Sequence, residues 1–370
     1  MNDRRRALKL LRRIEREHAF ASLLLIGESG FVRTLVLGVL RWRSRLDFVV
    51  QSLATRKVDA DLLDVLRLGA YQLLFMDVAK YAAVGETVDL APKRARGFVN
   101  AILRRIGRGD APEPKDLATR TAHPQWLIDR WTKNYGAERA ARIAEANQEL
   151  SYPDVFTETP PADALPSKLV PGMWKLKGSS ADVDGFVLDE GSAVIADIAA
   201  ASGRNILDLA AAPGGKTLVM RARGADVVSN DISIARLRRL RGNVVVSDGR
   251  RPAFRTKFPV VLLDAPCSAT GTIRKNPELK WRLRESDLAS FAALQRELLA
   301  SAFELASETV VYSTCSLEPE ENDDVVAGYE RVTPRVNDEV AKWLDRDVLR
   351  LTPESGADGF TCFTLRKNAS

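Results

Sequence analysis

Residues 206–217 read Ile206-Leu207-Asp208-Leu209-Ala210-Ala211-Ala212-Pro213-Gly214-Gly215-Lys216-Thr217. An apolar run gives way to a small-residue turn with two glycines, and a helical pattern begins at Lys216. Strand, glycine-bearing turn and helix form the unit of an open parallel sheet, and such sheets bind nucleotide-like ligands at that turn. The Gly-Gly-Lys-Thr tail invites a phosphate-binding loop, but that motif needs a glycine at 210, where the chain has Ala210. A G-x-G-x-x-G spacing is missing as well. What remains is a turn with close backbone approach and little room for a pyrophosphate.

The same rhythm runs outward from this turn. Short strand-like runs occur at Asn205–Leu209, Ala225–Asn230, Val244–Ser247, Val260–Leu263 and Thr309–Tyr312, with helical stretches at Lys216–Arg223, Ile232–Arg241 and Asp287–Leu305. Alternation of this kind predicts a parallel, doubly wound α/β sheet over 185–370. Val348–Leu351 and Gly359–Lys367 predict two closing strands, arranged as an antiparallel hairpin. Residues 1–150 predict helices throughout: Leu62, Leu63, Leu66, Ala70 and Leu73 keep the 3.6-residue period, as do Phe98, Ile102 and Ile106, before Gly107 and Gly109 stop the pattern. Between the two parts, residues 151–184 hold Pro153, Pro160, Pro161, Pro166 and Pro171, a density that breaks regular elements and predicts a linker or a reduced subdomain.

Composition narrows the function. With 370 residues the chain can bury a core without staples, and its three cysteines, Cys267, Cys315 and Cys362, exclude a disulfide scaffold and point to a reducing compartment. The two histidines, His18 and His123, lie far from one another and from any cysteine, which argues against a metal site of His/Cys type. Apolar runs are shorter than the roughly 18 residues that span a bilayer, and the N-terminus leads into a charged helix, so a cytoplasmic protein is expected. Residues 1–150 carry 27 Lys+Arg against 18 Asp+Glu, net +9, and the other 220 residues carry net −3. A basic part joined to a slightly acidic one suggests a polyanion-binding module attached to something else, or else a set of solvated helix faces. Arg41, Arg43 and Arg45 around Trp42 are either a phosphate-contacting surface or plain exposed positions. Arg104, Arg105 and Arg108 also suit the negative end of their helix dipole.

Three aspartates close successive strands on one edge: Asp208, Asp231 and Asp248. Asp231 lies 23 residues after Asp208, the offset at which an acidic side chain accepts from ribose hydroxyls. Acidic groups also suit adenine and a cationic sulfonium, so they point to S-adenosylmethionine; singly, each is equally a helix N-cap. Two further strands end in Leu263-Asp264-Ala265-Pro266-Cys267-Ser268-Ala269-Thr270-Gly271 and Val311-Tyr312-Ser313-Thr314-Cys315-Ser316. Both put a cysteine just past a strand's carboxyl end, in polar surroundings, so adjacent strands would open both thiols into one crevice. Cys362, between Thr361 and Phe363, reads as core.

These motifs, with Arg274, Pro277, Glu278, Trp281 and Glu320-Glu321-Asn322, resemble the Sun-type family of RNA 5-methylcytosine methyltransferases. Residues 1–140 resemble the NusB-like helical domain of the family's ribosomal RNA small-subunit methyltransferase B branch, on Val39-Leu40-Arg41, Gly69-Ala70-Tyr71-Gln72-Leu73-Leu74, Gly85-Glu86-Thr87-Val88 and Val99-Asn100-Ala101-Ile102-Leu103-Arg104. Gly356, Asp358, Gly359 and Phe360 resemble the start of its C-terminal strand. The resemblance implies a multidomain chain: a NusB-like all-α RNA-binding domain at 1–150, a linker at 151–184, and a Rossmann-like class I methyltransferase domain at 185–370. It departs from the family at Ala210, where Cys is frequent, at Leu188, where Gln is usual, and in the shortened 151–184 stretch.

The resemblance also implies the chemistry. Cytosine C5 is a poor nucleophile until a thiolate adds to C6, which is covalent catalysis by an activated cysteine. It assigns Cys315 as the nucleophile, Cys267 to product release, Asp264 to the cytosine edge or the cofactor, and Lys216 to the target base, where its charge also favours a thiolate. Ala210, Ala211, Ala212, Pro213, Gly214, Gly215 and Lys216, with Asp231, Asp248 and Asp264, would hold S-adenosylmethionine. The expected substrate is a flipped or unpaired cytosine in RNA, 16S rRNA first and tRNA or another RNA as the alternative. Two rivals are a methyltransferase acting on DNA cytosine, protein or a small molecule, and a non-enzymatic RNA-binding factor. DNA enzymes generally use the Pro-Cys cysteine alone, and a binding factor has no need of both cysteines beside a cofactor turn.

Overall fold

The computed structural model describes residues 2–178, 183–238 and 240–367. The chain forms two compact units, Met1–Glu149 with Ile273–Leu283, and Leu150–Thr272 with Arg284–Ser370.

The first unit is helical: α1 (Asp3–Arg16), α2 (Ala21–Leu24), α3 (Gly30–Leu53), α4 (Ala60–Phe75), α5 (Lys80–Val88), α6 (Arg96–Arg108), α7 (Leu117–Arg120), α8 (Gln125–Tyr135) and α9 (Ala137–Ala146). Local chemistry sets the ends. The Asn2 side chain accepts from Arg4 N–H and caps α1, Ser29 caps α3, and α6 stops at Gly109, whose φ of 96° is left-handed. Leu66, Ala70, Ile102 and Ile106 are buried in one core with Leu35, Val39 and Leu46. Gly38 lets α3 meet α4, since a Cβ there would lie 1.9 Å from the Tyr71 ring.

The three arginines around Trp42 form neither a free phosphate surface nor plain exposed positions. Arg41 is buried and donates to Arg274 O at 2.8 Å, Arg43 pairs with Glu15, and Arg45 pairs with Glu113 beneath a Trp42 ring stacked on Phe75. Arg105 donates to Leu53 O, and Arg108 pairs with Asp110.

The second unit starts with β1 (Asp154–Phe156), β2 (Leu165–Pro166), β3 (Met173–Lys175) and β4 (Phe186–Val187), an antiparallel sheet in the order β2-β3-β1-β4. The proline-dense stretch therefore carries three short strands; Pro166 stands on the sheet edge, where its missing N–H is tolerated. Residues 179–182 of that stretch lie outside the described residues. Then come α10 (Glu190–Ser202), β5 (Asn205–Asp208), α11 (Gly215–Ala222), β6 (Asp226–Asp231), α12 (Ile234–Leu237), β7 (Val244–Val246), β8 (Phe258–Asp264), α13 (Leu279–Arg282, part of the first unit), α14 (Asp287–Leu305), β9 (Ala306–Thr314), β10 (Arg331–Val332), α15 (Asp338–Ala341), β11 (Leu344–Asp345), β12 (Val348–Leu351) and β13 (Phe360–Arg366).

These strands build one mixed sheet in the order β11-β12-β13-β9-β8-β5-β6-β7, with β10 beside β13. Strands β5 to β9 are parallel and β11 to β13 antiparallel, so the closing hairpin is present. Strand order reverses between β5 and β8, which makes the carboxyl end of β5 the switch point of the sheet. The helix expected over 232–241 is the single turn α12, because Leu240 N–H closes a tight turn on Leu237 O at 2.8 Å; Arg239 lies outside the described residues. Cys362 is fully buried, and burial pushes its thiol well up. No helix among the described residues is long and apolar enough to cross a membrane.

Candidate active site

The carboxyl ends of β5, β6, β8 and β9 carry Asp208, Asp231, Asp264 and Thr314, so sheet register alone gathers the candidate residues of the second unit on one edge. Asp264 stands opposite Ser313, which brings the loops after β8 and β9 side by side. The Sγ atoms of Cys267 and Cys315 lie 3.3 Å apart, and both residues are half-buried. The Cys267 thiol is held well above the ordinary cysteine range, first by its hydrogen bond to Cys315, then by burial and by the charge of neighbouring Cys315 and Glu321.

Lys216, in the first turn of α11, reaches the same crevice. Its Nζ donates to Asp264 Oδ2 at 2.6 Å and to Ser192 Oγ at 2.5 Å, and sits 5.1 Å from the centre of the Phe360 ring. Burial works against the ammonium charge, but Asp264, Cys315 and Asp208 outweigh it and raise the Lys216 pKa. Ser313 Oγ donates to the other Asp264 oxygen at 2.8 Å, so the carboxylate is held at both ends.

The turn 210–215 is pinned to its neighbours: Ala211 N–H donates to Asn230 O, and Gly214 adopts φ 110°, a left-handed conformation that suits glycine. Asp231 is nearly buried at the end of β6; its Oδ2 accepts from Ala212 N–H at 3.0 Å and its Oδ1 from Ser233 N–H at 2.9 Å. Asp248 lies farther out, its carboxylate engaged by the Arg250 side chain at 2.7 Å and held down at about pKa 2 by that contact and the Arg250 N–H. Asp208 does not join the others at an open edge. It is fully buried, accepts from Thr217 Oγ1 at 2.6 Å, and burial pushes its carboxyl up to about 7.

Motif reading singled out the cysteines, Lys216 and the aspartates, took Phe360 only as a strand start, and missed Ser192, Ser313 and Gln295. Serine is common everywhere, and Ser313 gains a role only through its register opposite Asp264. Gln295, on α14, donates to Pro266 O at 2.9 Å and supports the Cys267 loop; no local sequence signal marks it.

The donor set suits S-adenosylmethionine. Ribose hydroxyls need acceptors and a sulfonium needs negative charge; Asp231 and Asp264 supply both, while the turn offers no glycine-rich nest for a pyrophosphate.

A family model for the 16S rRNA methyltransferase RsmB/F matches residues 196–361, and a NusB family model matches residues 1–108. Ribosomal RNA small subunit methyltransferase B of Salmonella typhi is 34% identical, the match covering 83% of each chain, and that of Salmonella agona matches equally. The crystal structure of PH0851 aligns with a TM-score of 0.74 at 23% identity, over 98% of this chain and 97% of its own. NSun6 from Pyrococcus horikoshii with SFG aligns with a TM-score of 0.58 at 18% identity, over 67% of this chain and 99% of its own. Both likenesses bear on the fold. The chain thus belongs to the 16S rRNA methyltransferase RsmB/F family and is an S-adenosylmethionine-dependent rRNA methyltransferase that modifies cytosine at C5.

Proposed function

We propose that the chain methylates a cytosine of 16S rRNA through a covalent adduct between Cys315 and C6 of the base, with Cys267 acting at product release. The observation that carries this is the 3.3 Å separation of the two thiols at the ends of adjacent parallel strands. One nucleophile needs one cysteine; two in contact suit a reaction in which a bond is made and later broken at nearly the same place.

When bound, S-adenosylmethionine supplies an electrophilic methyl group. Asp231 would accept from its ribose hydroxyls, the 210–215 turn would lie along it, and Asp248 would face its base. Cys315 adds as thiolate to C6, which moves electron density to C5 and lets C5 take up the methyl, the S–CH3 bond breaking with its electrons left on the sulfur of S-adenosylhomocysteine. The C5 proton then leaves, the electrons of that bond re-form the C5–C6 double bond, and the Cys315–C6 bond breaks. Lys216, fixed between Asp264 and Ser192, supplies positive charge to the crevice where the thiolate forms and a donor for the base. Asp264, fixed by Lys216 and Ser313, would hold its carboxylate toward the cytosine edge or the cofactor near the methyl. We further read 1–150 as the RNA-holding part, on its net charge of +9, residues 151–184 as a reduced connecting part, and 185–370 as the catalytic part, within the reducing interior of the cell.

The test separates the two cysteines. Cys315→Ser should abolish transfer and form no adduct, since a serine hydroxyl furnishes almost no nucleophile near neutral pH. Cys267→Ser should methylate but stall at elimination, accumulating a protein–RNA species that survives denaturing electrophoresis, and the double variant should not. An adduct with Cys315→Ser and none with Cys267→Ser would reverse the roles.

A further inference from the structure

Glu321 is fully buried, in the short turn after the Cys315 loop, yet among the described residues no cation is a hydrogen-bond partner of it. Its Oε1 accepts from Ser268 N–H at 2.8 Å and from Gln295 Nε2 at 3.1 Å; its Oε2 accepts from Ser316 Oγ at 2.5 Å and from Ser268 Oγ. Its main-chain oxygen takes the Tyr312 hydroxyl at 2.6 Å. The Ser268 N–H and the Gln295 amide can only donate to it, and the two serine hydroxyls fill its other oxygen. Ser268 follows Cys267 and Ser316 follows Cys315. One carboxylate therefore grips the residue after each cysteine.

We propose that Glu321 is a positioning residue that clamps the Cys267 loop to the Cys315 loop and sets the two thiols in contact. It also distinguishes them. A buried negative charge beside Cys267 opposes a second charge there, in the same direction as the Cys315 contact and burial, which are larger. Cys267 thus stays a thiol able to donate to Cys315. Other titratable or charged groups near this pair include Tyr312, Asp264, Lys216, Arg296 and the buried Glu318, whose N–H donates to Ser316 Oγ. The charge of Lys216 acts on Cys315 and its ammonium is bonded to Asp264, whereas the charge of Glu321 acts on Cys267, after the Cys315 contact and burial. This inference rests on the two-cysteine reading above, but its test uses neither RNA nor cofactor.

Two measurements on the full chain test it. In Cys315→Ser, the pH profile of Cys267 alkylation by iodoacetamide, localised by mass spectrometry, should have its midpoint above the ordinary thiol value of about 8.5. Adding Glu321→Gln should lower that midpoint by about one pH unit or more. Glutamine keeps the shape, and the Ser268 and Ser316 hydroxyls can turn to accept from its amide, so charge is removed while the clamp is kept. With both cysteines present, phenylarsine oxide, which chelates only paired thiols, should bind the wild type and Glu321→Gln, and bind Glu321→Leu at least tenfold more weakly. A midpoint at or below 8.5 in Cys315→Ser, a midpoint unmoved by Glu321→Gln, or unchanged arsenical binding in a folded Glu321→Leu would overturn the proposal. The first of these involves no change at Glu321 and so stands even if the leucine variant fails to fold. Reversed cysteine roles would show in the RNA adducts and leave these readouts as they are.

Discussion

Asp208 shows how one buried group shapes the pH response of the catalytic unit. One of its oxygens takes the Thr217 hydroxyl and the other has no hydrogen-bond partner among the described residues, so burial dominates and pushes the carboxyl up to about 7. An aspartate in the unfolded chain titrates near 3.9. Between these values the native state keeps a proton that the unfolded state has lost, so stability falls as pH rises from about 4 to 7, and the deficit persists above. Asp208→Asn removes the ionisation and should gain on the order of 1–3 kcal/mol relative to wild type at pH 8, with little difference at pH 4. Denaturant melts at both pH values check this, and an offset that does not change with pH would contradict it. Asp231→Ala should weaken S-adenosylmethionine binding by roughly 1–3 kcal/mol, through lost acceptors for the ribose. Calorimetry giving wild-type affinity would remove Asp231 from the site. Such residues were legible in the sequence because their type carries the chemistry: a thiol, an amine or a carboxylate after a strand narrows the possibilities. Arg41 was illegible for the opposite reason. Arginine has many uses, and only packing reveals that Arg41 donates to a carbonyl 233 positions away.

At the scale of elements, the loop after β8 and the start of β13 approach so closely that only glycine fits. A Cβ on Gly271 would lie 2.4 Å from Gly359 O, and the two residues are joined by Gly359 N–H to Gly271 O at 2.8 Å. Gly271 N–H also donates to Cys315 O at 2.9 Å, so this contact ties the Cys267 loop, the end of β9 and the start of β13 together. Gly271→Ala must push backbone away from backbone. It should cost about 1–3 kcal/mol, as overpacking does, and lower kcat by displacing one cysteine loop from the other. Gly85→Ala, in α5 with open space around it, should be neutral or stabilising by up to about 1 kcal/mol. Thermal melts of the two variants decide, and equal behaviour would show that the contact has room to give. The main strands were legible because β-branched runs alternate with helical ones. The small sheet of β1 to β4 was not, since two- and three-residue strands among prolines leave no periodicity to read. Nor was the register that sets Ser313 opposite Asp264, because strand pairing is a property of two distant segments.

At the scale of the whole molecule, residues 273–283 belong by sequence to the catalytic half but by packing to the helical unit. Trp281 Nε1 donates to Leu40 O at 2.7 Å, the buried Lys280 Nζ donates to Arg41 O at 2.9 Å, and Glu278 accepts from Ala21 N–H at 3.1 Å. Ile273 is 1% exposed. A chain starting at residue 150 would keep this segment and lose every one of those partners. Its Ile273 and Trp281 would meet water, and Arg274, Lys275, Lys280 and Arg282 would become trypsin sites. Limited proteolysis should cut the truncated chain there first while the full chain resists. Asp231 and Asp264, the acceptors proposed for the cofactor, lie outside the segment, so S-adenosylmethionine binding should persist. RNA binding should change in a different way. The net charge of +9 in residues 1–150 favours phosphate contacts, each of which steepens the fall of log K with log salt by about 0.7–0.9. The full chain should therefore bind rRNA more tightly and with a steeper salt slope than the truncated one. Equal slopes from filter binding between 50 and 200 mM salt would mean that this basic unit is an ordinary solvated surface, and that the catalytic unit provides the phosphate contacts.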